Sequence, residues 1–300
     1  MAVPSVMHPT SCTPTADSRC AASIARVGYR VPRACTGHVI GSFRRAVHLR
    51  CGETIFTLAH GDAGDGPAML LARGDLRRDL RAIIRPGDAT LLRDGVLYVA
   101  DVVFDATQAR IWRPSPPRPW LPLPRRLRRL QDATCRLAAA RCDRPSVLSG
   151  SATPLVARMA AACAQGDAAE VAAIATMLVG LGEGLTPAGD DFLVGLVAAL
   201  RAGSSDDSQC GAAVESLRMP LFASRARTTP LAAQALAFAA RGHFDAVVLR
   251  TLDALLSEAD DEAFAHTLGA ALASGATSGA DLVTGMLAGL NTWHNAEAGS

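Results

Sequence analysis

The sequence predicts an α+β fold: a small antiparallel β domain at the N-terminus followed by a C-terminal α-helical bundle. Three observations predict it. Apolar residues alternate in short runs as far as Trp112, whereas from Leu127 onward they recur at helical spacing in alanine-rich stretches. Between the halves stand six prolines, at 114, 116, 117, 119, 122 and 124, a composition that holds a chain extended. Hydrophobic residues make up 49% of the 300 and charged residues 19%, so both halves are able to bury a core. The expected organisation is a mobile tail and lead-in over 1–34, a β-rich domain over 35–113, a linker over 114–124 and an α-helical domain over 125–295.

Taken in order, the first nineteen residues are rich in Pro, Ser and Thr and lack the basic start and apolar run of a signal peptide. Strands are expected at 39–43, 46–49, 54–58 and 68–71, each bounded by Gly, Asp or Pro. One short helix is expected within 73–85. The stretch 91–99 reads as a hairpin turning on Asp94-Gly95. After the linker, Arg125, Arg126, Arg128 and Arg129 open a helix. With a net charge of only +2, the run is read as a solvated face and not as a nucleic-acid patch. Helices are expected at 127–141, 154–164, 168–179, 188–202, 231–241, 246–258, 261–273 and 279–290.

Within the helical half the chain writes one motif twice. Gly184-Leu185-Thr186-Pro187-Ala188-Gly189-Asp190-Asp191 is echoed by Gly275-Ala276-Thr277-Ser278-Gly279-Ala280-Asp281, and Gly195, Ala198 and Leu200 align with Gly285, Ala288 and Leu290. Thr186 before Pro187 reads as an N-cap and a first-turn proline, and Thr277 or Ser278 caps the second copy. Asp191 and Gly195 lie four apart, as do Asp281 and Gly285, so each pair falls on one helical face. Mid-helix glycine costs ~1 kcal/mol against alanine. Close packing of the two helices is the expected compensation.

Helix ends of this kind present amide hydrogens and a positive dipole to an anion. The predicted site takes Gly184, Thr186, Gly189, Thr277, Ser278 and Gly279 as binding residues and Asp190, Asp191 and Asp281 as catalytic ones. Arg225, Arg227 and Thr228, ahead of Pro230, form a third element able to fork onto a carboxylate or phosphate. The plainer reading has the aspartates only complementing the helix dipoles.

The composition excludes several chemistries. All thirty basic residues are Arg, so no Schiff base, covalent pyridoxal phosphate or Walker A lysine is available. The eight cysteines, Cys12, Cys20, Cys35, Cys51, Cys135, Cys142, Cys163 and Cys210, show no zinc spacing and are expected to be reduced thiols of a cytoplasmic protein. No apolar run is long enough to span a membrane.

The run Gly-Leu-Gly-x-Gly-Leu-Thr-Pro-x-Gly-Asp-Asp-Phe-Leu-x-Gly ending at Gly195, with the later Thr277-Ser278-Gly279-Ala280-Asp281, resembles the AllH-type family. The resemblance is expected to extend from about Gly37 to Leu290. The chain differs from the usual family pattern at Ala276, where His is common, at Ala232 and at Ala68. The resemblance implies a subunit of oxamate carbamoyltransferase, exchanging a carbamoyl group between oxamate and phosphate in allantoin breakdown alongside partner subunits. It implies a small anionic substrate and a reaction without a redox cofactor, while the mild net charge and the shortness of the apolar runs are what argue against nucleic acid and membrane. Two other readings stand beside it: a non-catalytic anion-binding or assembly subunit, and a phosphoryl-transfer enzyme with magnesium on Asp190, Asp191 and Asp281.

Overall fold

The computed structural model of the protein describes residues 19–74, 78–115, 120–203, 209–258 and 260–298. The chain divides into two compact units, Met1–Arg113 and Pro114–Ser300. Of the expected tail and linker, residues 1–18 and 116–119 lie outside the described residues, as do 75–77 of the short helix expected within 73–85.

Among its described residues the first unit holds nine strands: β1 Arg19–Gly28, β2 Cys35–Ser42, β3 Ala46–Cys51, β4 Thr54–Ala59, β5 Met69–Ala72, β6 Ala89–Arg93, β7 Val96–Val99, β8 Val102–Asp105 and β9 Arg110–Trp112. They pair in the order β5-β4-β3-β2-β6-β7-β8-β1-β9, and a further β1–β5 pairing closes eight of them into a barrel. Val47, Leu49, Phe56, Leu58, Leu70, Leu97 and Phe104 fill its core. This unit is therefore a closed, mixed barrel and not the small antiparallel domain that the sequence predicts.

The reason for that difference is β1. Its Ala, Ser and Arg content gives it the look of a lead-in, yet it makes three pairings. Arg19 to Ser23 run parallel to β8, Arg26 to Gly28 run parallel to β9, and Ile24 to Val27 run antiparallel to β5 on the opposite edge. The parallel pairing of β4 with β5 is the other departure from antiparallel order. Such pairings join strands remote in sequence and leave no local signature. The hairpin about Asp94-Gly95 forms as expected, with both residues at positive φ (52° and 77°). Only a 3-10 turn, Leu80–Ala82, stands in the described part of 73–85. Cys35 and Cys51, at the open end of the β2–β3 hairpin, are joined in a disulfide with Cα atoms 6.0 Å apart. That corrects the expectation of reduced thiols for these two. Cys135, Cys142, Cys163 and Cys210 are free.

The second unit holds α1 Leu123–Asp143, α2 Thr153–Gln165, α3 Ala168–Leu178, α4 Ala188–Ala202, α5 Gln209–Phe222, α6 Pro230–Ala240, α7 Ala246–Leu256, α8 Asp261–Leu272 and α9 Ser278–Ala298. α1 starts four residues before its expected position, because Pro122 and Pro124 occupy cap and first-turn positions, where proline is tolerated. α5 has no counterpart in the expected set. Its buried residues Cys210, Ala213, Leu217 and Leu221 follow helical spacing, but Pro220 in the last turn reads as a breaker.

Two of the four arginines opening α1 are buried, against the expectation of a solvated face. The Arg126 guanidinium lies 4.5 Å from the Trp293 ring centre. Arg129 donates to the carbonyls of Ala254 and Ser257, both at 2.8 Å, closing the C-terminal end of α7.

α4 and α9 form the centre of this unit, with Phe192, Leu196, Val283, Met286 and Leu290 buried between the surrounding helices. Their backbones touch. A Cβ added to Gly195 would stand 2.0 Å from the Leu282 carbonyl oxygen, and one added to Gly285 would stand 1.9 Å from that of Phe192. The four-residue Asp-to-Gly spacing is thus the imprint of a helix pair in backbone contact.

Candidate functional site

Because α4 and α9 cross at their glycine faces, their first turns lie side by side. Thr186 Oγ1 and Ser278 Oγ are 3.0 Å apart, joining residues 92 positions distant in the chain. This corrects the cap assignment. Pro187 occupies the cap position of α4 without a side-chain bond, and the Thr186 hydroxyl turns to the neighbouring helix instead. A third helix start stands next to them. Thr229 caps α6 by accepting from the Ala232 amide at 3.1 Å, and its hydroxyl donates to the Leu185 carbonyl at 2.6 Å. The loop that carries Leu185 is thereby tied to both neighbours. Gly180 lets it pass close to the segment before α6: its φ is +75°, and a Cβ there would stand 2.0 Å from the Arg227 carbonyl oxygen.

The three predicted aspartates take different environments. Asp190 is 2% exposed; its Oδ1 accepts from the Gly180 amide at 2.9 Å and its Oδ2 from the Thr228 hydroxyl. Burial raises its pKa above the usual carboxylate range, and those two bonds pull it back. Asp191 faces the other way, toward Thr186 and Ser278. Burial pushes its carboxyl up to about 8, the Ser278 and Thr186 hydroxyls oppose this, and the neighbouring Asp281 and Asp190 charges add to it. Near neutral pH Asp191 therefore holds its proton. Asp281 is 0% exposed, and its Oδ1 accepts from Arg141 Nη2 at 2.6 Å and Ser146 Oγ at 2.7 Å.

Two expected binding residues do other work. The Gly189 amide donates to the Leu181 carbonyl at 2.9 Å, and the Gly279 amide donates to that of Ser274 at 3.0 Å. Each glycine also backs onto the preceding helix, where a Cβ would fall 2.0 Å from the Leu178 oxygen or 1.8 Å from the Ala271 oxygen. The doubled motif is thus a repeated helix corner, and these two amides are already engaged. Gly184 has positive φ, +96°, with open space where a Cβ would be. Thr277 supplies the carbonyl that accepts the Asp281 amide at 2.9 Å. Arg225 and Arg227 are exposed on and after the 3-10 turn Ala223–Ala226, while Thr228 reaches Asp190.

Residues 178–290 match the family model described as oxamate carbamoyltransferase subunit AllH, and they contain both glycine-led helix starts. This stretch is similar to AllH. It covers somewhat over a third of the chain, so the match begins at 178 and not near Gly37, where the resemblance was expected to start. The chain has no match among the curated proteins or the solved structures.

Arg141 and Ser146, which bind Asp281, precede the matched stretch 178–290, and sequence reasoning missed both. A buried carboxylate that stays charged calls for a partner, but nothing in the sequence selects Arg141 from among thirty arginines. Among the described residues no three His, Cys, Asp or Glu side chains are placed to hold a metal ion. With Asp190 turned to Thr228 and Asp281 to Arg141, the three-aspartate magnesium site lacks its ligand geometry. No helix among the described residues is long and apolar enough to cross a membrane.

Proposed function

We propose that this chain is a subunit of an oxamate carbamoyltransferase and that the joined starts of α4 and α9 bind its small, polar substrate. The observation that carries the reading is the Thr186–Ser278 contact, which brings Asp191 and Asp281 together inside the matched stretch 178–290. In the exchange, a phosphate oxygen attacks the carbamoyl carbon of oxalurate. The bond from that carbon to the oxamate nitrogen breaks, and the nitrogen leaves with a proton, giving oxamate and carbamoyl phosphate. Such a step needs oriented reactants, a proton donor for the leaving nitrogen and donors for the developing oxyanion.

Asp191, protonated near neutral pH, is the proposed proton donor. The Thr186, Thr277 and Ser278 hydroxyls and the loop at Gly184 line the binding region. Arg225 and Arg227 are proposed to attract the anion from the exposed side. Asp190 acts through Thr228 and Gly180, holding the loop and the start of α6 in place. Phosphorolysis of oxalurate, followed as carbamoyl phosphate formed with and without candidate partner chains, tests the reading. Turnover that is lost in Asp191→Asn supports it. Saturable binding without turnover under either condition would assign the chain a binding role in the complex. Absence of both overturns the proposal.

A further inference from the structure

Arg141 breaks a general rule for buried ionic groups, that each donor and acceptor finds a partner. It stands in the last turn of α1, and its side chain is 10% exposed. Nη2 donates to Asp281 Oδ1 at 2.6 Å and to Thr284 Oγ1 at 2.9 Å, while Nη1 is buried without a partner. The carboxylate it holds is in the same condition. Asp281 spends Oδ1 on Arg141 and Ser146 and leaves Oδ2 buried and unbonded. Across the helix seam, Asp191 Oδ2 is also buried without a bond. The paired starts of α4 and α9 therefore hold a donor and two carboxyl oxygens, all buried, that have no hydrogen-bond partner in the protein.

We propose that Arg141 is a ligand-binding residue of this site: one arm of its guanidinium holds Asp281, and the other takes an oxygen of the bound anion or carbamoyl group. A planar fork with fixed donors suits a carboxylate, phosphate or amide oxygen, and lysine, the other common choice, is absent from the chain. Asp281 is then a positioning residue, aiming the fork. Arg141 lies outside the matched segment 178–290, so α1 completes a site that the matched segment alone does not contain. The inference rests on the reading of these helix ends as the substrate site. A buried water would also satisfy the three atoms, but it would leave anion affinity indifferent to the residue at 141.

The test is calorimetric titration of the full chain with oxamate and, separately, with inorganic phosphate, alone and with candidate partner chains. Thermal melts of each variant run alongside. Arg141→Lys keeps the charge but loses the fork, and affinity should fall roughly tenfold or more. Arg141→Gln alone strands Asp281 and risks the fold, so it is paired with Asp281→Asn. The double variant should melt near the wild type and still bind at least about tenfold more weakly. Wild-type affinity in either Arg141→Lys or the folded double variant overturns the inference and leaves the site reading standing. Silence of the wild type toward both probes, with and without partner chains, overturns the site reading and the inference together.

Discussion

Asp191 is the residue whose chemistry depends most on its surroundings. Unfolded, its carboxyl ionises at about 3.9; folded, burial moves it to about 8. Between these values the folded protein holds a proton that the unfolded chain has lost. Stability is thus greatest at the acid end of that window and falls as pH rises through it, by up to about 1.4 kcal/mol per unit, levelling off above the folded value. Urea unfolding at intervals across that range should show the slope, and Asp191→Asn should remove this part of it. A wild-type slope unchanged by the substitution would mean that Asp191 ionises normally. Asp281 makes the contrasting case, because its charge is matched by Arg141 at 2.6 Å. Deleting one partner of a buried pair typically costs about 3–5 kcal/mol, so Asp281→Ala should lower the denaturation midpoint strongly at neutral pH. A loss below about 1 kcal/mol, the range of surface pairs, would show that the pair is not effectively buried.

At the scale of elements, backbone contact between α4 and α9 and the β2–β3 crosslink each make a measurable statement. Gly195→Ala and Gly285→Ala would each place a carbon about 2 Å from a carbonyl oxygen of the facing helix. Relief requires the helices to separate, and overpacking of this kind costs about 1–3 kcal/mol or more. Gly269, inside α8, has nothing within 4 Å of its Cβ position. Gly269→Ala should therefore stabilise by about 0.5–1 kcal/mol through helix propensity alone. Equal effects at Gly195 and Gly269, measured by chemical denaturation, would refute the close-contact account. In the barrel, the Cys35–Cys51 bond closes a loop of sequence separation 16. A crosslink of that size contributes about 3 kcal/mol, so reductant should lower the melting transition of the barrel unit. Cys35→Ser should reproduce that shift and make the protein insensitive to reductant.

At the scale of the whole molecule, the stretch that matches AllH, 178–290, packs into a core it shares with the helices before it. Its helices share one core with Ala133 of α1, Met159 of α2 and Ile174 of α3, all of which precede residue 178. Arg141, the partner of Asp281, also precedes it. Residues 114–300 expressed alone should melt cooperatively, whereas 178–290 alone should not, a difference that circular dichroism on heating reads directly. Cooperative melting of the shorter piece would show that α1 to α3 are dispensable for the core.

The sequence by itself determined the features that rest on short-range geometry. These are the Asp94-Gly95 hairpin, most of the helices, and the helix pair announced by the repeated Asp-to-Gly spacing of 191 with 195 and 281 with 285. Each follows from steric and periodic rules acting over a few residues. The three aspartates of the candidate site were legible for the same reason, since they stand at fixed offsets from two helix starts. Tertiary structure alone decided what joins residues far apart in the chain. It closed the barrel through β1, whose composition carries no strand signature, and brought Cys35 to Cys51. It turned Thr186 from a cap into a contact with Ser278, engaged the Gly189 and Gly279 amides within their own corners, and chose Arg141 as the partner of Asp281. Long-range pairing depends on the packing of the whole chain, and a residue's neighbours in sequence carry little record of it.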